Sequence, residues 1–292
     1  MSPAAPSSRS PEAGSIRRPA AVLGDGGQAA PPIMVERGLE PQHTHLSALR
    51  AELLALVPQG DRLMFERMAR LFEPGQRRAA ILLAGLHLPA TLSSRLSRAA
   101  HFDLLRTLAT AVDATVVRRR GIVGKHADGG VMAFFLAADA GSPSRAVRMA
   151  VEAAREVTAV TVRILEGALD DSAGGHGGSV RMGLHWGEAV YVGQVLTAGR
   201  LEVIAVGSEM DEAAQIERCA ASGQILASKD LLDRLARSDV ARLRLPLREL
   251  RFRSLGELLP GTGDARAELG HVVVSDVSAW PKRTPHWLAR WA

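Results

Sequence analysis

The chain has 292 residues, 47% of them apolar, which is enough to bury a core in one large or two modest domains. Its net charge of +5 admits acidic partners such as nucleic acid or membrane surfaces without establishing either, and its single cysteine, Cys219, excludes an intrachain disulfide and a cysteine-rich zinc site. The most apolar run, Ala79 to Ala90, is too short to span a bilayer and is interrupted by His87 and Pro89. No secretory signal is legible at the N-terminus, so the expected location is cytoplasmic.

In chain order, residues 1–43 are rich in Pro, Ala, Ser, Gly and Arg without apolar periodicity and predict a disordered tail. Residues 44–76 predict a helical segment. Leu46, Leu49, Leu53, Leu54 and Val57 recur at helical spacing, Pro58 breaks the run, and Leu63 to Leu71 resume it, as a helical hairpin or a pair of short helices. Ala80 to Leu86 predicts a buried strand. Leu92, Leu96, Leu105, Leu108, Val112 and Val116 then mark a long helix ending at Arg118, Arg119 and Arg120, whose cations suit the helix dipole.

Strands at Gly121 to Lys125 and Val131 to Leu136 are joined by a tight turn through Asp128, Gly129 and Gly130. A second long helix is expected over Ser144 to Leu169, followed by a glycine-rich loop from Gly174. Extended segments follow at Val180 to Trp186, Ala189 to Val195 and Leu201 to Val206. A helix is predicted over Ser208 to Cys219, a strand over Gln224 to Ala227, a short helix over Lys229 to Arg237, and a strand-like stretch over Arg242 to Leu255. The order βαββαβ with additions is that of an α+β fold with helices on one face of a largely antiparallel sheet. Residues 261–292 are expected as a C-terminal tail, in which Trp287 and Trp291 lie one helical turn apart beside Arg290, a pattern suited to docking.

Four segments carry a resemblance: ILLAGLHLPATLSSRL from Ile81, GIVGKHADGGVMAFF from Gly121, VRMGLHWGEAV from Val180, and RLEVIAVGSEMDEAAQIERCAASGQILAS from Arg200. In this order they resemble the class III adenylate and guanylate cyclase homology domain over residues 77–260. The resemblance implies a ferredoxin-like βαββαβ core. It also implies a dimer whose two protomers complete each other's sites, and the reaction of ATP to cyclic AMP and pyrophosphate by two-metal phosphoryl transfer.

Carried over residue by residue, the resemblance places the two metal aspartates on Gly85 and Gly129, neither of which offers a ligating side chain. The ribose-orienting asparagine falls on Asp211, the phosphate-binding arginine on Gln215, and the partner of the purine-selecting lysine on Ile204; the lysine itself is kept as Lys125. The VRMGLHWGEAV segment corresponds to a strand-turn leading into a dimerisation arm. Beyond the first strand, His87-Leu88-Pro89 replaces a loop that would offer backbone amides to phosphate, and proline has none to offer. Asp128, one residue before the family position, is a remote substitute ligand.

These replacements imply a cyclase-like domain without catalysis, with no cofactor, and with Mg2+ or Mn2+ only if activity remains. Its role would be that of a dimerising or regulatory module in intracellular signalling, as a homodimer or as a heterodimer with another cyclase domain. Two alternatives stand beside it. One is a weakly active or ATP-binding cyclase that uses Lys125. The other is a basic nucleic-acid-binding α+β module resting on Arg242, Arg244, Arg248, Arg251 and Arg253; nucleic acid is the less expected partner, because only 4% of the chain is aromatic and no stacking platform is evident. The structural reading of the same five arginines is a solvated edge strand.

Overall fold

The computed structural model describes residues 71, 73–88, 96–127, 129–168, 179–197, 200–259 and 269–278. The expected N-terminal tail, nearly all of the helical segment before Phe72, the loop at Gly174, Asp128 and the tryptophan-rich C-terminus lie outside these residues. Eight strands form one sheet: β1 (Gly75–His87), β2 (Ile122–Ala127), β3 (Gly130–Leu136), β4 (Ser179–Thr197), β5 (Arg200–Val206), β6 (Ile225–Ser228), β7 (Arg253–Ser254) and β8 (Val273–Asp276). Their order is β2-β3-β1-β4-β6-β8-β7, with β5 paired to β4. All pairings are antiparallel except β4 with β6, so the first four strands make the expected βαββαβ core.

The two long helices are α1 (Arg98–Arg118) and α3 (Pro143–Ala168), with the short α2 (Ala137–Ala140) between β3 and α3. In α1 the buried positions Ala100, Leu104, Leu108, Ala111, Val112 and Val116 recur every three or four residues and form one apolar stripe. The helix starts later than the leucine spacing predicts. The Ser97 hydroxyl accepts a hydrogen bond from the Ala100 amide at 3.1 Å and caps the N-terminus, leaving Leu96 outside the helix. With α3, this helix covers the face of the sheet formed by Ala80, Leu82, Ala84, Phe135, Met182, Leu184 and Trp186.

Helices lie on both faces, not on one as expected. The fourth helix, α4 (Ser208–Cys219), sends Met210 and Ala213 into a second core with Ala79, Ile81, Phe134, Val190 and Val192 on the opposite face. Along β1 the alternation of strand side chains feeds both cores: Ala80, Leu82 and Ala84 point to one side, Ala79 and Ile81 to the other. The α4 backbone comes close to the sheet at Gly183, where an added Cβ would come within 2.5 Å of the Glu217 backbone nitrogen.

The turn expected at Gly187 is a bulge inside one continuous strand. Ala79 pairs with Gly187 and Arg77 with Val190, so Glu188 and Ala189 oppose Arg78 alone. The extra residue reverses the alternation. Met182, Leu184 and Trp186 face α1 and α3, whereas Val190 and Val192 face α4.

The arginines ending α1 have specific partners beyond the helix dipole. Arg118 meets Glu156 of α3 at 2.9 Å, and Arg119 bonds both Glu156 and, at 2.6 Å, Glu152. The strand-like stretch expected over Arg242 to Leu255 is mostly not strand. It contains the end of α6 (Arg237–Leu243), a series of turns, the two-residue β7 and the start of α7 (Leu255–Leu258), while α5 (Lys229–Leu232) is shorter than predicted. Leu243, Leu245 and Leu250 pack into the main core at uneven spacing, which fits neither strand nor helix periodicity. A strand in the stretch expected as a tail, β8, completes the sheet between β6 and β7.

Candidate functional site

A groove of about 340 Å³ opens over the ends of β1 and β3, walled by α4. The two positions that the resemblance assigns to metal ligands are neighbours at its edge: Gly85 pairs with Gly130, and the Leu86 amide donates to the Gly129 carbonyl at 3.0 Å. Gly85 and Lys125 both line the groove, whereas Ile204, Asp211 and Gln215 do not. Ile204 is exposed on β5, Asp211 is exposed in the first turn of α4, and Gln215 is half-buried one turn further on.

Lys125 reaches the groove through a second bulge. Val123 pairs with Ala133 and His126 with Val131, so Gly124 and Lys125 together oppose Met132. Strict alternation would turn Lys125 toward α1; the bulge aims it into the groove and turns His126 toward α1, where its Nε2 lies 2.9 Å from the Asp113 carboxylate. The Asp113 hydrogen bond raises the His126 pKa against a smaller opposing effect of burial.

What stands beside Gly85 is an ion pair. Arg181 Nε on β4 lies 2.6 Å from Glu217 Oε1 on α4, with the two side chains 29% and 13% exposed. A Cβ placed on Gly85 would overlap that carboxylate oxygen and come within 3.1 Å of Glu217 Cδ and 3.3 Å of Arg181 Nε. Gly129 has φ +74°, a left-handed conformation that glycine adopts at no steric cost. The described groove residues therefore do not fit a hard divalent cation, which takes several oxygen ligands. Their one carboxylate, Glu217, is held by Arg181, and Lys125 and Arg218 add further positive charge.

The residues that sequence reasoning passed over are Arg181, His185, Glu212 and Glu217. His185 is buried on β4, with Nε2 3.0 Å from Glu212, which also faces His271 at 3.3 Å. The His185 hydrogen bond holds the Glu212 carboxyl below the usual range against the opposing effect of burial. A signal for these residues exists in the sequence. In Val180 to Trp186, Arg181, Gly183 and His185 alternate with four apolar residues, which marks a polar face on a buried strand. That face meets Glu212 and Glu217 of α4.

The mixed α+β fold as a whole matches that of cyclase catalytic domains. The chain is similar in structure to the adenylyl cyclase CyaB from P. aeruginosa, with TM-score 0.51 and 17% identity over 73% of this chain and 100% of that one. It is also similar to a bacterial light-regulated adenylyl cyclase, with TM-score 0.51 and 15% identity over 88% of this chain and 71% of that one. No protein-family model and no curated protein sequence matches the chain. At these identities the likeness establishes the fold: an α+β domain of the cyclase catalytic type. Among the described residues no helix is long and apolar enough to cross a membrane.

Proposed function

We propose that this chain is a cyclase-fold module that works without cyclase chemistry, as a pairing or regulatory partner in signalling. The observation that carries the reading is the Arg181–Glu217 pair, which fills the space a metal-binding side chain at Gly85 would need. Two-metal catalysis of phosphoryl transfer requires anionic ligands that fix both ions, and a guanidinium at that position repels them. Loss of one preorganised charge-stabilising group typically costs about 2.7 to 4 kcal/mol of barrier, and here the metal ligands and the phosphate-binding arginine are replaced together.

The partner in this reading is a second copy of the chain or another domain of the same fold. Tyr191 pairs with Val206, Gly193 with Ile204 and Val195 with Glu202, so Tyr191, Val195, Ile204 and Val206 share the outer face of the β4–β5 hairpin. These four are 37–58% exposed, a contiguous apolar stripe that a second copy would cover.

A second reading, nucleotide binding through Lys125, is favoured by the bulge that turns this side chain into the groove. Titration of the purified chain with ATP and GTP, with and without Mg2+ or Mn2+, separates the readings. Under the main reading the metal leaves any affinity unchanged. A metal-dependent gain of tenfold or more, lost in Lys125→Ala, would favour a working nucleotide site.

A further inference from the structure

The twelve residues from Arg242 to Arg253 hold five arginines, Arg242, Arg244, Arg248, Arg251 and Arg253, against one acid, Glu249. All five are exposed, and among the described residues no carboxylate pairs with any of them. Several other arginines of the domain are held by carboxylates: Arg119 with Glu152 and Glu156, Arg148 with Glu152 and Asp239, Arg181 with Glu217, Arg234 with Glu188.

The same segment divides its apolar side chains into two sets. Leu243 and Leu245 are buried and Leu250 packs against the core, while Leu247 and Phe252 remain 36% and 40% exposed among the arginines. The backbone holds this arrangement. Leu247 donates to the Leu245 carbonyl at 2.9 Å, Glu249 to the Pro246 carbonyl at 2.8 Å, and the Ser275 hydroxyl to the Arg251 carbonyl at 3.0 Å. The loop is thus pre-shaped, with leucine anchors inward and a cationic, partly apolar rim outward.

We propose that this rim, Arg244 to Arg253, docks on an anionic lipid surface, the guanidinium groups meeting headgroup phosphates while Phe252 and Leu247 enter the interface. Charge complementarity selects an anionic partner, and the exposed aliphatic and aromatic pair selects a bilayer over a nucleic acid. A leucine has no face on which a base can stack, and Phe252 alone does not make a stacking platform. Each arginine near an anionic surface strengthens binding by roughly fivefold, so a cluster of this size suffices for salt-sensitive, reversible attachment.

The test is co-sedimentation of the full chain with phosphatidylcholine vesicles, with and without phosphatidylserine, and with single-stranded RNA as competitor. Binding is expected only to vesicles containing phosphatidylserine. It should fall more than tenfold in R248E/R251E and several-fold in L247S/F252S, which keeps the charge; thermal melting of each variant is measured to show that it is folded. Sedimentation with neither vesicle, equal binding to both, binding unchanged in folded variants, or displacement from vesicles by RNA with L247S/F252S still binding as the parent would each overturn the proposal.

Discussion

Gly85 has only a hydrogen where a side chain would stand, and that absence is what allows Arg181 and Glu217 to meet beneath α4. Restoring an aspartate at this one position should therefore not rebuild a metal site. Gly85→Asp must displace Glu217 and strand Arg181, and chemical denaturation is expected to show a loss of about 1 to 3 kcal/mol, as for overpacked interiors. Glu217→Ala, which removes the counter-charge and leaves Gly85 untouched, is expected to cost about 2 kcal/mol by the same measurement. A Gly85→Asp variant as stable as the parent would show that the pair does not hold the space. At this scale the sequence marks Gly85 and Gly129 through the resemblance, but not the pair that meets beside Gly85. Gly85 and Gly129 can be aligned by eye, whereas Arg181 and Glu217 lie 36 residues apart and meet only because α4 crosses β4 at Gly183.

Among the elements, the α1–α3 contact is tied at one end by Glu156, whose side chain is 1% exposed and holds Arg118 and Arg119 together. Glu156→Ala leaves two partly buried guanidinium groups without that carboxylate, and a loss of about 3 to 5 kcal/mol is expected in urea unfolding. A loss below about 1 kcal/mol would place the network among exposed pairs of little consequence. The long elements α3 and α4 were legible because their apolar spacing is regular over many residues, and the α4 boundaries coincide with those expected. Both bulges were not legible, since a two-against-one pairing is a relation between strands. The stretch from Arg242 to Leu255 misled for a related reason. Its alternating leucines and arginines imitate a strand, yet the turns at Pro246 and the left-handed Arg244, φ +49°, end any regular element.

Across the whole molecule, two expectations follow from how the faces are covered. The outer face of the β4–β5 hairpin carries Tyr191 and Val206 side by side, so Y191E/V206E should convert a dimer into monomers in analytical ultracentrifugation without altering the thermal melt. A parent chain that is monomeric at high concentration would contradict the pairing role. Acid stability should depend on Glu212, which joins β4 to the turn before β8 through His185 and His271. Its pKa is lower in the folded state, so its contribution is fully present above the ordinary value of about 4.5 and is lost as pH falls through the depressed one. Glu212→Gln should accordingly flatten the acid limb of the stability curve below that pH while shifting the neutral region by a constant amount. The proposal that this chain carries no cyclase chemistry is tested most directly by incubating the purified chain with ATP and with GTP in the presence of Mn2+ and measuring cyclic nucleotide by mass spectrometry. The account predicts no product above a protein-free control; metal-dependent cyclic product that disappears in Lys125→Ala would contradict it.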